Sequence, residues 1–302
     1  FLGVSAMALL VKWAYWNNYS STIMKRPLIV RVSRYLSYLD AAACALLVLD
    51  RFILKLAYII NAAIHADSNP TDTLSMMAYM AYNQRSLFAI GISYTVRLAL
   101  FGTAIAFVLA LLMVFLRIQE PDKRDNDFVK FLKIVANKFS RFYIFVIRGT
   151  PMMVQLLIMG FVIFSFSRNY TMVGALTLGI NSGAYVSEII RGGLMSLDPG
   201  QSEAGRSLGL GYIDTMRLIV IPQAFKAILP ALGNEFIMLL KDTSLITVIG
   251  GKELLYAAQG IMNRTYEAMF PLCGVAIIYL ILVMLFTRLL AKFERRLAQS
   301  DR

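Results

Sequence analysis

Ionisable side chains lie inside a stretch of the sequence that is otherwise apolar. The run over residues 231–249 contains Glu235, Lys241 and Asp242. Lys241 and Asp242 are adjacent and project in different directions, whereas a stripe at helical spacing holds Asn234, Glu235, Met238 and Asp242. An ionisable group inside an apolar helix is costly unless it meets a ligand or a partner. We therefore predict that Asn234, Glu235 and Asp242 line a binding site or a pathway.

Three uncharged polar residues lie in two other apolar stretches and are candidates for the same site. Gln155 follows the sequence Arg-Gly-Thr-Pro, and Asn181 and Ser182 fall near the middle of the run over residues 171–190. A buried amide needs a hydrogen-bonding partner, which is either another helix or a bound ligand. The sequence leaves both alternatives open for Gln155.

The elements that must position these residues are predicted to be membrane-spanning helices. Hydrophobic residues make up 58% of the 302 residues, charged residues make up 16%, and the mean hydropathy is +0.64. A soluble chain averages about 45–50% apolar and about 25% charged residues. A helix needs about 20 largely apolar residues to cross the bilayer core. Seven segments are predicted to cross, the first of them short: 1–16, 36–66, 86–116, 142–166, 171–190, 231–249 and 270–290.

The distribution of basic residues predicts which loops lie in the cytoplasm. A net charge of +12 would indicate nucleic acid in a soluble protein, but in a membrane protein Lys and Arg concentrate in cytoplasmic loops. Segments 12–34, 117–141 and 288–302 are rich in Lys and Arg, whereas segment 61–73 contains neither. Seven alternating spans with residue 1 outside place all three basic segments in the cytoplasm. Residues 196–225 then lie there as well, and Arg148 lies at a cytoplasmic helix end.

Residues for catalysis or metal binding are scarce. The chain has one histidine, His65, and no GxxxxGK[ST] phosphate loop or HExxH motif. Its two cysteines, Cys44 and Cys273, lie in separate apolar runs without metal-ligand spacing. We therefore predict no catalytic residue, no metal site and no cofactor in this chain, which argues against a membrane-embedded enzyme.

A polar segment punctuated by Gly and Pro lies between two of the apolar runs. Its characteristic residues are Glu203, Ala204, Gly205, Gly209, Ile219, Ile221 and Pro222. Glu203 is expected near a helix start, where an acidic side chain suits the helix dipole. The small residues permit a close approach, and Gly209 allows the chain to reverse. Pro222 and Pro230 are expected to break or redirect the helices that follow. An ordinary amphipathic helix is the alternative interpretation of this segment.

This spacing resembles the loop by which permease subunits of ATP-binding-cassette (ABC) importers hold their ATPase partner. The run LPALGNEFIMLLKDTSL at 229–245 is similar to the polar amino-acid uptake branch, the histidine/glutamine/arginine permease-like family. The blocks VIRGTPMMVQ at 146–155 and GAYVSEIIRGG at 183–193 are similar to the same family. Two residues depart from the family pattern, because Gly205 replaces a second Ala and Ile221 replaces Leu.

The resemblance implies an all-α fold, a polytopic membrane helical bundle. The five-span core of a type I ABC importer permease would cover residues 86–298, with a cytoplasmic coupling loop at about 196–225. Residues 1–85 would form an N-terminal extension with one or two membrane helices. Coupling to the ATPase would rest on Glu203, Ala204, Gly205, Gly209, Ile219 and Pro222. The implied function is uptake of a polar or charged L-amino acid across the bacterial cytoplasmic (inner) membrane by a multi-pass subunit.

The implied partners are an ABC ATPase subunit, a second permease copy or a paralogue, an extracytoplasmic substrate-binding protein, the amino acid and the lipid bilayer. No nucleic acid is implied, and ATP and Mg²⁺ would be bound by the ATPase. Glu235 would accept the substrate ammonium or a cationic side chain, while an ion pair between two permease copies, for example with Lys241, is the alternative. Glu188 and Arg191 would pair as a gate or as an interfacial salt bridge. A rival function, an ion-coupled secondary amino-acid carrier, would require an internal repeat that the sequence does not show.

Overall fold

The computed structural model describes residues 27–66, 70, 72–119, 121–123 and 125–299. Within these ranges every regular element is a helix, which confirms the all-α prediction. The chain divides into two compact units, residues 1–83 and residues 84–302. The predicted opening span over residues 1–16 lies outside the described residues.

In its described residues the first unit contains two helices that pack against each other, α1 (Pro27–Ile64) and α2 (Thr73–Asn83). Ala63 and Met80 are buried in this unit, whereas most of the large apolar side chains of α1 are exposed. Exposed apolar side chains along a helix of 38 residues suit a lipid environment better than water.

The second unit contains nine further α-helices in the described part of the chain. They are α3 (Arg85–Ile118), α4 (Asp127–Gly149), α5 (Met152–Ile158), α6 (Tyr170–Met195), α7 (Pro199–Ser207), α8 (Tyr212–Thr215), α9 (Ile221–Asp242), α10 (Leu254–Thr265) and α11 (Met269–Gln299). A π-helix at Met159–Ile163 extends α5, and another at Met216–Val220 joins α8 to α9. A 3₁₀-helix at Thr243–Ile249 extends α9. Residues 212–249 therefore form one continuous helical segment.

The core of this unit lies where α3, α6 and α9 pack together. Small residues let α3 and α6 approach closely, because a Cβ at Gly179 would lie only 2.6 Å from the Cβ of Ile105. The main buried cluster is built around Leu98, Leu156, Leu178 and Leu240. A second cluster lies toward the end of α3 and includes Ala106, Ala110 and Ile228. These clusters fix α6 at the centre of the bundle.

Length and apolar composition support fewer spans than the seven predicted. Among the described residues, three helices are long and apolar enough to cross a membrane: Arg85–Ile118, Tyr212–Ile249 and Met269–Arg296. The bent pair Asp127–Gly149 and Met152–Ile163 makes a fourth if it counts as one span. The predicted segments 36–66 and 171–190 do form helices, α1 and α6, but α1 carries charged residues and α6 is rich in small polar ones.

Two predicted loops are largely helical. The basic segment 117–141 contains the start of α4 at Asp127, and segment 196–225 contains α7, α8 and the start of α9. Pro230 was predicted to break or redirect a helix, but it lies inside α9, which continues through it. The neighbouring helices stabilise α9 enough to tolerate the one lost backbone hydrogen bond.

Candidate functional site

The helix that leads to Gln155 is broken one turn before it. α4 ends at Gly149, α5 begins at Met152, and the bend between them is 105°. Thr150 (φ −120°, ψ 145°) and Pro151 (φ −64°, ψ 134°) between them are extended. Proline disfavours helical backbone in the residue before it and has no N–H to donate, so the local sequence encodes the break. The predicted span over residues 142–166 therefore consists of two helices that meet at this bend.

The side chain of Gln155 bridges the break and ties it to α6. Its Nε2 donates to the carbonyl of Ile147 (2.8 Å) and to Oγ1 of Thr150 (2.7 Å). Its Oε1 accepts a hydrogen bond from Nδ2 of Asn181 (2.9 Å). A helix end leaves carbonyl groups without partners inside the helix, and Gln155 satisfies one of them. The sequence left another helix or a bound ligand as the partner of Gln155, and in this chain the partner is another helix, α6.

A second polar pair lies beside the first. Ser182, the residue after Asn181 in α6, donates its hydroxyl to Oε1 of Glu235 in α9 (2.7 Å). Glu235 is only 9% exposed and has no Lys or Arg within ion-pair distance in the described part of the chain. The partner of Glu235 among the described residues of this chain is therefore the hydroxyl group of Ser182.

Arg148, the second-last residue of α4, brings a positive charge to the side of α6. Its guanidinium lies 5.1 Å from the ring centroid of Tyr185, a cation–π contact with α6. Tyr143 on the same helix donates its hydroxyl to the carbonyl of Ile180 (2.5 Å). The structure thus places Arg148 at the end of α4 and beside the middle of α6.

The predicted polar stripe on α9 divides between two faces. Glu235 is buried toward α6, whereas Asn234 and Met238 are exposed. Asp242 is the last residue of α9 and is partly buried two turns beyond Glu235. The structure therefore brings Gln155, Asn181, Ser182 and Glu235 together, and it does not bring Asn234 or Asp242 into contact with them. We call these four residues, with Arg148 and Tyr185, the central polar cluster.

The second predicted site begins with a well-capped short helix, α7. Asp198 caps its start by accepting the backbone N–H of Gly200 (2.9 Å), and Pro199 occupies the first turn. At its end, Gly209 N–H donates to the carbonyl of Arg206 (3.0 Å) and Leu210 N–H to that of Gly205 (3.2 Å). These two bonds form a Schellman motif, whose left-handed residue is Gly209 with φ 87°. The predicted chain reversal at Gly209 is confirmed.

Gly205 explains one departure from the family pattern. A Cβ at this position would lie 2.7 Å from Ile219 Cδ1 and 2.9 Å from Thr215 Cγ2, so the helix that follows packs directly on the backbone of α7.

Glu203 lies in the middle of α7 and is exposed. The prediction that it lies near a helix start is wrong, because Asp198 and Pro199 begin the helix earlier. Residues 205–209 also fit the GxSxG pattern of hydrolases, but that pattern needs a strand before its serine, and Ser207 ends a helix.

An exposed apolar surface surrounds the turn at Gly209. Leu208 is 82% exposed and Ile213 is 77% exposed, although both lie in a polar part of the sequence. The surface continues along the next helical turns with Tyr212, Leu218 and Ile221. Contiguous exposed apolar side chains of this kind mark sites of interaction with another protein or with lipid. We call Leu208, Tyr212, Ile213, Leu218 and Ile221 the coupling surface.

Comparison with known proteins identifies the family. Residues 130–299, more than half of the chain, match the family described as "binding-protein-dependent transport system inner membrane component". The chain belongs to this family. The resemblance inferred from the sequence blocks is thereby confirmed, and the chain is a permease subunit.

Characterised relatives and solved structures agree with this assignment. The permease is 35% identical over 214 residues to the putative glutamine transport system permease protein GlnP of Rickettsia bellii, covering 70% of this chain and 91% of that protein. It is 34% identical over 214 residues to the arginine transport system permease protein ArtQ of Bacillus subtilis, covering 70% and 92%. A crystal structure of an amino acid ABC transporter with histidines matches with a TM-score of 0.63 and 40% identity, covering 75% of this chain and 99% of that one.

Sequence reasoning missed two features of the permease. Arg148 and Tyr185 were not recognised as one contact, although a proline-interrupted apolar segment is a known signal for a binding site at mid-membrane. Glu253 was not considered at all. It is 1% exposed, caps α10 by accepting the N–H groups of Leu255 (2.7 Å) and Tyr256 (2.6 Å), and accepts the hydroxyl of Tyr279 (2.9 Å). Its contacts among the described residues are structural. The one sequence signal for this role is the position of a glutamate just before a helix start.

The predicted pair of Glu188 and Arg191 is confirmed as a contact and proves to be a triad. Arg191 donates two hydrogen bonds to Oε2 of Glu188 (2.8 and 3.1 Å), while Arg117 at the end of α3 binds Oε1 of the same carboxylate. Glu188 therefore joins α6 to the end of α3. No cluster of His, Cys, Asp and Glu suited to a metal ion occurs among the residues that the structure describes.

Proposed function

We propose that this permease forms the transmembrane pathway of an ABC importer that takes up a polar or charged L-amino acid. The observation that carries the proposal is the central polar cluster, which lies at a helix break beside the middle of α6. Broken helices at mid-membrane are where transporters hold polar substrates, because the break frees backbone groups and widens the packing. The glutamine and arginine permeases among the relatives support an amino acid as the substrate.

The chemistry of the cluster suits a zwitterion. Glu235 offers a carboxylate for an ammonium group or a cationic side chain. Arg148 offers a guanidinium that forms no ion pair with a carboxylate in the described part of the chain, and such a group binds a carboxylate well. Gln155, Asn181 and Ser182 offer amide and hydroxyl groups between these two charges. Asn234 and Asp242 stay candidates for an exposed part of the pathway, for example opposite a second permease copy or a paralogue.

The coupling surface suits the docking of a separate ATPase subunit on the cytoplasmic side. We propose that Glu203, Ala204, Gly205, Gly209, Ile219 and Pro222 form or support this contact. Gly205 and Ile219 hold α7 on the following helix, and Gly209 fixes the turn that presents Leu208. The ATPase would bind ATP and Mg²⁺ and hydrolyse ATP, while the permease itself would carry no cofactor and catalyse no reaction.

In this mechanism the permease alternates access to the central polar cluster. An extracytoplasmic binding protein delivers the amino acid at the outer side of the bacterial inner membrane. Closure of two ATPase subunits displaces the coupling segments of the two permease chains, and the helices that carry Ser182 and Glu235 move with them. Because α9 continues from the coupling surface to Glu235 without a break, displacement at one end reaches the other.

Uptake by the reconstituted complex tests this proposal. The permease, its ATPase and its binding protein are placed in proteoliposomes, and uptake of radiolabelled glutamine, arginine, histidine and, as an apolar control, leucine is measured. We expect uptake of a polar or charged amino acid only with ATP inside and binding protein outside. Uptake driven by an ion gradient without ATP would instead support a secondary carrier and overturn the proposal.

A further inference from the structure

A cavity lies at the border between α3 and α4, away from the central polar cluster. Its volume is about 430 Å³, and it is lined by Gln119, Pro121, Ile134, Asn137, Lys138 and Arg141. Asn137 in its wall donates to the carbonyl of Arg117 in the last turn of α3 (2.7 Å). The cavity therefore lies level with the end of a membrane-spanning helix, where headgroups of the bilayer begin. We call it the basic cavity.

The two positive charges of the basic cavity are not neutralised. Neither Lys138 nor Arg141 forms an ion pair with a carboxylate within the part of the chain that the structure describes. Lys138 and Arg141 are three residues apart in α4 and so lie on one side of the helix. They present two adjacent cations to whatever enters the cavity.

Other cations near the cavity do have acidic partners. Lys133 donates to Oδ2 of Asp125 (2.7 Å), and this hydrogen bond holds the pKa of the Asp125 carboxyl below its usual range. Asp125 is therefore charged at neutral pH and neutralises Lys133. Arg117 is paired with Glu188. Within the described residues, Lys138 and Arg141 thus differ from Lys133 and Arg117 in having no acidic partner.

An apolar stripe runs along the exposed side of the same helix. It consists of Phe128, Phe131, Val135, Phe139 and Phe142, all exposed and spaced by three or four residues. A helix with one apolar face and one basic face lies at the boundary between headgroups and acyl chains. Basic pockets between membrane helices at the cytoplasmic side bind anionic lipid headgroups. The cavity and the stripe thus combine the two recognition elements of a single anionic lipid.

We propose that the basic cavity binds the phosphate of an anionic phospholipid from the cytoplasmic leaflet. Lys138 and Arg141 contact the phosphate oxygens, Asn137 lines the same wall, and the acyl chains lie along Phe139 and Phe142. An anionic lipid matches both the positive charge of the cavity and the apolar face that adjoins it. An acidic segment of the ATPase would match the charges but not the apolar stripe. The proposal is independent of the proposed transport function.

Native mass spectrometry of the purified full chain tests the proposal. The protein is equilibrated in mixed micelles with equal amounts of phosphatidylglycerol and phosphatidylcholine, and the lipid retained on the protein is quantified. We expect retention of phosphatidylglycerol over phosphatidylcholine. In the double variant Lys138→Gln/Arg141→Gln this preference should fall by roughly 10- to 30-fold, the effect of losing two cations near an anionic surface.

Two further variants serve as controls. Lys292→Gln/Arg295→Gln removes two exposed cations with the same spacing from α11, and it should keep the preference. Lys138→Arg/Arg141→Lys keeps both charges and should keep it as well. Circular dichroism checks that each variant is folded, since all four positions are exposed.

Several results would overturn the proposal. They are equal retention of both lipids by the unmodified chain, an unchanged preference in Lys138→Gln/Arg141→Gln, or an equal loss in the α11 control. Loss of phosphatidylglycerol on addition of the ATPase would assign the cavity to that subunit. Displacement of the lipid by millimolar inorganic phosphate would show that the cavity recognises free phosphate and not a lipid.

Discussion

Glu235 shows how one residue can be stable in an apolar bundle before any substrate arrives. Its carboxylate accepts a hydrogen bond from the hydroxyl group of Ser182. A hydroxyl donor satisfies one oxygen and leaves the other available. The hydrogen bond that stabilises the carboxylate therefore leaves its second oxygen as an acceptor for an ammonium group.

Replacement of Glu235 by Gln tests its role. Gln keeps the shape and can still accept from Ser182, but it removes the charge. We expect substrate binding to weaken by about 1–3 kcal/mol, the scale of a charge-assisted hydrogen bond. Isothermal titration or the substrate dependence of ATPase stimulation measures this, with Asp127→Asn, an almost fully exposed acid at the start of α4, as the control. Unchanged transport kinetics in Glu235→Gln would leave the residue a structural role.

Gly209 is the second residue whose chemistry is specific. Its φ of 87° is left-handed, and a β-branched residue there costs about 1–2 kcal/mol or more. We expect Gly209→Val to remain in the membrane but to lose transport and substrate-stimulated ATP hydrolysis, because the turn that presents Leu208 is distorted. Both activities are measured in proteoliposomes.

Gly211 provides a matched control two residues away. Its backbone (φ −63°, ψ 165°) suits any residue, and a Cβ there would make only an ordinary contact of 3.7 Å with Asp214. Gly211→Val should therefore keep more activity than Gly209→Val. Normal stimulated ATP hydrolysis in Gly209→Val would show that the coupling assignment is wrong.

Among the elements, the broken helix α4–α5 is bridged by a single side chain, that of Gln155. Gln155 bonds to the end of α4 and to Asn181 in α6 at once. Gln155→Leu leaves these groups without partners and should lower the free energy of unfolding by about 1–3 kcal/mol. Gln223→Leu removes an exposed bond to Gln201 (3.0 Å) and should change it by less than about 0.5 kcal/mol. Thermal unfolding in detergent compares them, and equal losses would refute the bridging role.

Much of the helical content followed from the sequence, but the geometry of the site did not. Apolar runs and proline positions indicated most helices, because composition reports directly on burial in lipid. The contact between Gln155 and Asn181 could not be predicted, because it depends on the 105° bend, and a local pattern does not give an angle. The burial of Glu235 and exposure of Asn234 likewise depend on how α9 is rotated against α6, which packing decides.

At the scale of the whole molecule, the division between residues 83 and 84 separates the helices that carry the candidate sites from α1 and α2. Both the central polar cluster and the coupling surface lie in the second unit. The family match, residues 130–299, lies there too. Whether residues 1–85 are an accessory extension stays a prediction.

Removal of residues 1–83 tests that prediction. We expect a chain that starts at Gln84 to insert, to bind the ATPase and to transport, with expression or assembly reduced because neighbouring helices lose lipid-facing protection. Uptake per inserted molecule is compared with that of the full chain. An intact, inserted, ATPase-bound variant without transport would show that the first unit takes part in the pathway.

The helical segment from residue 212 to residue 249 is continuous, so its length sets the angle between side chains at its two ends. Each residue turns an α-helix by about 100°, so within α9 the direction of Glu235 relative to Ile221 is set by the number of residues between them. A single insertion or deletion there would rotate the coupling surface by about 100° against the central polar cluster without changing any side chain in either. The proposed coupling therefore depends on the length of this segment as well as on its side chains.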